Sequence, residues 1–268
     1  DFDLVANGGF GGKYPNGKIK LNVDIADLNK LNLHAGPLKL RGNVDADIAD
    51  GNPDNLNGKI SLYKFMFANE KEEFALDSIN IIAVSTAERD SIMLKSQIVK
   101  AKIAGDYKLT QVGTALSNTI AKYYNTNPAA AKETTSPQQF DFSIKIDNDP
   151  VIQKLLPQLT RFEPIDITGA YNSTNDSISL NGSIPRVVYG ANTVSGAVIK
   201  VGTEENKLTY SLVVDGVQND QFEIAQANIT GDLADNVLNY KMQLFDRKDE
   251  EQYLLAGQVK AADGNTEI

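Results

Sequence analysis

The 268-residue chain contains no cysteine and no tryptophan, and it has only one histidine and three methionines. Without cysteine there is no disulfide, no thiolate nucleophile and no cysteine-ligated zinc site. Catalysis by a serine–histidine pair would have to use His34, and no serine lies in a Gly-x-Ser-x-Gly sequence. The lack of tryptophan also removes the usual aromatic platform for sugars. We therefore interpret the chain as a protein that is not an enzyme and needs no cofactor.

Basic residues are fewer than acidic ones: the chain has 26 Lys and Arg and 35 Asp and Glu, which gives a net charge of −9. A nucleic-acid site needs clustered basic residues that displace counterions, so no nucleic-acid partner is expected. The same charge disfavours docking on anionic headgroups. No run of 18 apolar residues predicts a membrane-spanning helix. The first residues do not follow the pattern of a signal peptide, and the sequence reads as an internal part of a longer protein.

The acidic residues at 45–54 resemble a calcium-binding loop at first sight. The glycine comes one residue late, and Leu56 stands where such a loop needs a bidentate glutamate. Asp45 and Asp47 also fall on the polar side of a predicted strand. We therefore expect a solvated face at this place and no metal site.

Alternation of apolar and polar residues is the dominant pattern. Ile19, Leu21 and Val23 alternate with polar residues, and the pattern returns many times along the chain. It predicts strands with one apolar and one solvated face, separated by turns such as Asn57-Gly58 at the spacing of an antiparallel meander. About a dozen strands exceed the ~10 that an open twisted sheet usually holds. A closed barrel, a two-sheet sandwich and a sheet rolled lengthwise into a trough all remain compatible with this all-β pattern.

Two stretches depart from alternation. Residues 109–124 place apolar side chains at helical spacing, and residues 149–159 begin a second short helix with Pro150 near its start. Between them, residues 125–139 are polar and rich in Ala, Thr and Pro, which is typical of a mobile loop or an internal boundary. We predict one continuous β segment over 1–268. The boundary at 125–139 would separate 1–124, the first strand group with its helix, from 140–268, the second helix and strand group.

Three passages resemble the strand repeats of the TamB and AsmA-like envelope proteins. They are LNVDIADLNKLNLHAGPLKLRGNVDADIADG at 21–51, the passage at 76–125 with its Gly-Asp-Tyr-Lys-Leu turn before the first helix, and the passage at 140–190. The last is similar to the version in Bacteroidetes-type bacteria. The resemblance implies a β-taco, a long curled antiparallel sheet in the form of a half-pipe with an apolar concave face.

The same resemblance implies a role. Such a segment lies in the periplasm, in a parent protein anchored in the inner membrane. It holds or conducts phospholipid, or another acyl lipid, between the inner and outer membranes, in association with an outer-membrane insertase of the BamA superfamily and with outer-membrane protein assembly. The inward apolar positions would form a lipid-binding groove, and these are Leu21, Val23, Val44, Ile48, Ile60, Leu62, Ile92, Leu94, Phe140, Phe142, Ile144, Leu208, Leu212, Phe222, Ile224, Leu238 and Leu244.

Two other interpretations remain open. A chaperone-like scaffold would bind a partner by adding a strand to an exposed sheet edge, with no lipid. A structural β protein would use the whole apolar face as its own core. Separately, three Asp-Ser-Ile triplets place Ser78, Ser91 and Ser177 beside predicted strands. They resemble O-glycosylation acceptors of some Bacteroidetes, although Asp-Ser is also ordinary turn chemistry.

Overall fold

The alternating segments form strands along most of the chain. The computed structural model describes residues 1–126, 134–262 and 265–267. Strands make up 62% of the chain and helices 8%, and the sheet is open and antiparallel. The predicted all-β antiparallel fold, interrupted by short helices, is therefore confirmed. The chain divides into two compact units, Asp1–Ala104 with Asp149–Leu155, and Gly105–Asn148 with Leu156–Ile268.

The first unit is an antiparallel meander. Neighbouring strands pair in sequence order from β1 to β4, and β4 then pairs with both β5 and β6 before β6 pairs with β7. A 3-10 turn at Pro53–Asn55 precedes β4. The strands are β1 (Phe2–Gly9), β2 (Asn16–Asp27), β3 (Lys39–Asp50), β4 (Asn57–Ala68), β5 (Glu73–Leu76), β6 (Ile79–Ser85), β7 (Asp90–Lys95) and β8 (Val99–Asp106), of which β8 runs across the division between the units.

The first unit also contains a short helix from much later in the chain, α2 (Pro150–Leu155). The sequence predicted a helix over 149–159. The helix ends earlier because Pro157 has no amide hydrogen to donate, and Leu159–Phe162 already forms the next strand. Asp149 caps the start, where its carboxylate accepts a hydrogen bond from the Val151 amide at 2.9 Å.

The second unit is a longer meander with one helix, α1 (Val112–Tyr123), within the predicted 109–124. Strand β9 pairs with β11, and the pairing then continues in order to β19, with β10 and β15 as short side additions on β12 and β14. The strands are β9 (Gln139–Ile146), β10 (Leu159–Phe162), β11 (Ile165–Asn172), β12 (Ser177–Tyr189), β13 (Asn192–Glu204), β14 (Lys207–Gln218), β15 (Glu223–Ile224), β16 (Gln226–Ala234), β17 (Val237–Phe245), β18 (Glu251–Ala262) and β19 (Asn265–Glu267).

The polar stretch 125–139, predicted as a loop or boundary, lies inside the second unit. Its residues 127–133 are outside the described part of the chain. The end of the stretch is well anchored, because Gln138 is fully buried. The Gln138 side chain accepts a hydrogen bond from the Lys108 amide at 2.7 Å, and the Gln138 amide donates to the Ser173 hydroxyl at 2.8 Å.

Candidate functional site: the apolar face of each unit

In the first unit the strand register places the apolar residues in rows that cross the sheet. Leu21 stands opposite Val44, Val44 opposite Leu62, and Leu62 opposite Ile79. Because side chains alternate between faces along a strand, residues two positions away form parallel rows on the same face. The next two rows are Ile19–Ala46–Ile60–Ile81–Leu94 and Gly17–Ile48–Gly58–Ala83–Ile92.

One end of this face is filled by a hydrophobic core. Phe65, Phe74, Leu76 and Leu38 are buried there together with Val151 of α2. The Phe74 ring stacks on Phe67 at 5.5 Å between centroids. The predicted groove residues Val44 and Leu62 pack against this core, so the helix and the aromatic residues close the face at its Phe65 end.

The second unit carries the same kind of face over more strands. One row, Phe142–Gly169–Leu180–Val201–Tyr210–Gly231–Tyr240–Gly257, runs without interruption from β9 to β18. On one side of it lies the row of Phe140, Tyr171, Leu208, Leu233, Leu238 and Val259, which we call row 1. On the other side lies the row of Ile144, Ile167, Ile199, Leu212, Ile229, Met242 and Leu255, and beyond it the row of Ile146, Ile165, Ala197, Val214, Ala227, Leu244 and Tyr253, which we call row 4.

Aromatic rings cover glycines in the central row. Phe142 lies over Gly169, and Tyr210 lies over Gly231, so that a Cβ atom added at either glycine would overlap the ring. The Tyr240 ring lies over Gly257 in the same way. The rings are therefore laid along the sheet instead of standing away from it.

Helix α1 covers row 1. The Thr119 hydroxyl lies 2.9 Å from the Tyr171 hydroxyl, and both side chains are buried. Lys122 forms an ion pair with Asp176 in the β11–β12 turn at 2.6 Å, and the Tyr123 hydroxyl donates to the Asp176 carbonyl at 2.9 Å. The same C-terminal end of α1 is also tied to the β16–β17 turn, where the Asn236 amide donates to the Tyr123 carbonyl at 3.0 Å.

Exposure varies across the face. In row 1, Phe140 and Leu208 are each 6% exposed, whereas Ile199 in the third row is 37% exposed. Leu255 in the third row and Tyr253 in row 4 reach 53% and 70% on the outermost long strand. Row 4 is not uniformly open, because Ala197 and Ala227 are each only 9% exposed. The exposed apolar side chains of this face therefore lie in the third row and on β18.

Two tyrosines on this face have perturbed ionisation. Burial raises the pKa of Tyr171, an effect that the Thr119 hydrogen bond partly opposes and that the charge of Asp176 adds to. Burial also raises the pKa of Tyr210, and the charge of Asp232 adds to it. Both phenols therefore stay neutral over a wider pH range, which keeps the face uncharged.

The structure brings fifteen of the seventeen predicted groove residues onto these faces. The eight residues from Leu21 to Leu94 share one face of the first unit, and seven of the remaining nine share one face of the second. Two lie elsewhere. Phe222 is 47% exposed in the link before β15, and Ile224 pairs with Val217, outside the four rows.

Sequence reasoning missed other members of the same faces. Tyr210 and Tyr240 alternate with polar residues and lie on the face, although they were not among the predicted groove residues. Ile199 was also not predicted. Val198 beside it is apolar too, and a two-residue period cannot decide which of two adjacent apolar residues faces inward. The register with Leu212 decides it in favour of Ile199.

The acidic stretch at 45–54 has local explanations. Asp47 forms an ion pair with Lys18 across the strand pair at 2.9 Å, and this contact raises the pKa of Lys18. Asp50 accepts a hydrogen bond from the Asn52 amide at 2.9 Å, and Asn52 caps the 3-10 turn. Of the possible glycosylation sites, Ser78 is exposed, and Ser91 and Ser177 are partly buried.

Within the described residues, no helix is both long and apolar enough to cross a membrane. No family model, no curated protein and no solved structure matches the chain.

Proposed function

We propose that this chain is a lipid-holding segment of a TamB-like envelope protein and that it carries acyl lipids on the apolar faces of its sheet. The observation that supports this most is the row structure of the second unit. Four adjacent rows of apolar side chains cross as many as eight paired strands, and Ile199, Leu255 and Tyr253 in them are exposed. A face that served only as a core would be covered along its whole length.

The physical basis is hydrophobic transfer. Each acyl methylene removed from water gains about 0.8 kcal/mol, so a chain of many methylenes gains enough to leave the aqueous phase. A surface made of side chains such as Leu180, Ile199 and Ile229 offers few specific polar contacts, so binding would be strong in sum and indifferent to lipid identity. The proposed role involves no chemical step. A periplasmic location, phospholipid as cargo and an insertase of the BamA superfamily as partner of the parent protein belong to the same proposal.

The chain offers a matched pair of residues for the test. Ile199 and Val198 are neighbours on β13 with nearly equal exposure, 37% and 39%, but they face opposite sides of the sheet. We expect Ile199→Asp to abolish copurification of lipid and Val198→Asp to retain it. Native mass spectrometry, with lipid extraction of the same samples, measures both, and circular dichroism verifies the fold. Lipid retained by both variants, or absent from the unaltered protein, would contradict the proposal.

A second candidate function rests on strand β1. All eight of its residues are exposed, and within its unit it pairs on one side only, with β2. It carries Phe2, Leu4 and Val5 but no proline or lysine, which are the usual means of protecting an edge from further pairing. This favours addition of a partner strand from a client protein or from the insertase. A Leu4→Pro substitution should abolish partner binding here while leaving lipid copurification unchanged.

A further inference from the structure

The loop between β2 and β3, residues 28–38, presents two leucines to solvent. Residues 29–35 are all exposed, and among them Leu31 is 57% and Leu33 72% exposed. The links at 69–72 and 86–89 in the same unit have charged sequences instead, Asn-Glu-Lys-Glu and Thr-Ala-Glu-Arg. Single exposed leucines are common, but a pair on one loop tip marks a contact with something apolar.

The base of this β2–β3 loop is anchored in the core of the first unit. Leu38 is buried there, and Leu28 packs against the same core. The Leu28 amide donates a hydrogen bond to the Leu38 carbonyl at 2.8 Å, which closes the loop. Because Leu28 and Leu38 already fill the core positions, Leu31 and Leu33 stay outside the core.

The backbone of the loop tip is hydrogen-bonded within the loop. Each amide of residues 30–34 donates to a backbone or side-chain oxygen of residues 27–29, at distances between 2.8 and 3.2 Å. The Asn29 side chain donates to the carbonyls of His34 and Ala35 at 3.2 and 3.1 Å. An unpaired backbone group is costly in hydrocarbon, so this pairing allows the tip to leave water without that cost at these amides and carbonyls.

The charges at the loop favour one kind of membrane surface. Lys30 is the only Lys, Arg, Asp or Glu among residues 28–38, and it forms an ion pair with Asp27 at 3.8 Å. The β4–β5 turn at 69–72, which lies at the same end of the sheet because Lys39 pairs with Ala68, contains two glutamates. An anionic surface is therefore disfavoured, whereas a zwitterionic bilayer meets no net repulsion.

A folded protein partner fits this tip less well than a bilayer does. A stable protein interface buries about 800 Å² on each side and uses roughly 20–30 residues of each partner. The tip offers two leucines on a segment of seven exposed residues. Insertion of apolar side chains into the bilayer interface needs no matching surface of that size.

We propose that the β2–β3 loop inserts Leu31 and Leu33 into the interface of a zwitterionic bilayer and so docks the first unit on a membrane. The inference goes beyond the proposed lipid-holding function and does not depend on it. The apolar faces would hold individual lipids, whereas this loop contacts the membrane surface itself.

Flotation of the full chain with phosphatidylcholine vesicles tests the inference. Each leucine that leaves water contributes about tenfold or more to binding, so the double variant Leu31→Asn/Leu33→Asn should bind the vesicles about a hundredfold more weakly. Copurified lipid, measured by native mass spectrometry, should remain in that variant. Ile199→Asp should show the opposite result, with vesicle binding kept and copurified lipid lost. The matched control is Val84→Asn on β6 of the same unit, at a residue that is 43% exposed, and it should change neither quantity.

A second measurement uses the lack of tryptophan in the sequence. The emission of Leu33→Trp should shift to shorter wavelength on phosphatidylcholine vesicles and should be quenched when the acyl chains carry bromine. Val84→Trp should show neither effect. A shift without vesicles that grows with protein concentration would identify a second copy of the chain as the occupant and would overturn the inference.

Two further results would also overturn it. They are no vesicle binding by the unaltered protein, and equal binding by the unaltered protein and the double variant. If Ile199→Asp alone lost vesicle binding, the apolar face would be the membrane contact, and the proposed lipid-holding function would stand without this inference. Copurified lipid absent from every sample would contradict the proposed function only.

Discussion

The Thr119 hydroxyl and the Tyr171 hydroxyl lie 2.9 Å apart, each on a side chain that is 2% exposed. This contact joins the buried side of α1 to row 1 of the apolar face. Because Thr119 is on the helix and Tyr171 on a strand 52 residues later, the hydrogen bond reports directly on whether the helix is seated.

Replacing Thr119 by valine keeps the shape of the side chain and removes the hydroxyl. The Tyr171 hydroxyl would then be buried without its partner, so we expect a loss of about 1–2 kcal/mol in the free energy of unfolding. Urea denaturation measures it. The matched control is Thr168→Val on the exposed face of β11, which should change stability by less than about 0.5 kcal/mol. Equal effects of the two substitutions would contradict the assigned role of the contact.

The raised pKa of Tyr171 predicts a loss of stability at high pH. Above the ordinary value of 10.0, an unfolded tyrosine loses its proton while the buried phenol keeps it. The unfolded state is then favoured, and the free energy of unfolding falls as pH rises from about 10 through the higher pKa of the folded state. The variant Tyr171→Phe should show a shallower fall than the unaltered protein when urea denaturation is repeated between neutral and alkaline pH. Tyr189→Phe, at a tyrosine that is 50% exposed, is the control, and an equal flattening there would rule out the buried phenol as the cause.

The strands could be predicted from the sequence because their apolar faces repeat every second residue. Helix α1 could be predicted for the same reason at a helical period, and its observed bounds lie within the predicted range. The division at Ala104 could not be predicted, because β8 crosses it without any change in composition. The position of α2 could not be predicted either. Its packing with Phe74 joins residues about 75 positions apart, and a local sequence pattern does not indicate such a contact.

The groove residues were predictable only as far as alternation is unambiguous. Leu21 and Val44 each stand between polar neighbours, and the register places them opposite each other in one row with Leu62. The pairing of Phe142 with Gly169 could not be predicted from the sequence of either strand alone. A glycine inside a strand indicates only a position that weakens the strand. The glycine is explained once the structure shows that the Phe142 ring from the neighbouring strand lies over it.

The aromatic–glycine pairs predict an unusual contrast between two glycines of the same unit. A Cβ atom at Gly231 would overlap the Tyr210 ring and the Asn239 carbonyl, so Gly231→Ala should cost about 1–3 kcal/mol of stability. Gly113 lies in α1 with nothing within 4 Å of an added Cβ. There the same substitution should stabilise the protein by about 0.5–1 kcal/mol, because alanine favours the helix. Thermal and urea unfolding of the two variants measure the sign of each change in stability. Stabilisation by Gly231→Ala would contradict the position of the Tyr210 ring over Gly231.

The core of the first unit predicts which phenylalanines are structural. Phe74 is 5% exposed, stacks on Phe67, and has the Lys154 ammonium 5.5 Å from its ring centre. Phe74→Ala should therefore cost about 3–5 kcal/mol, since it removes a buried ring and leaves a cavity under α2. Phe2 is 67% exposed, and Phe2→Ala should cost less than about 1 kcal/mol. Urea denaturation compares the stability of the two variants. A third variant, Phe74→Leu, fills part of the cavity and should recover part of the stability that Phe74→Ala loses. If Phe74→Ala were as mild as Phe2→Ala, α2 would not be held by this core, and the closed end of the first unit's apolar face would have to be reassigned.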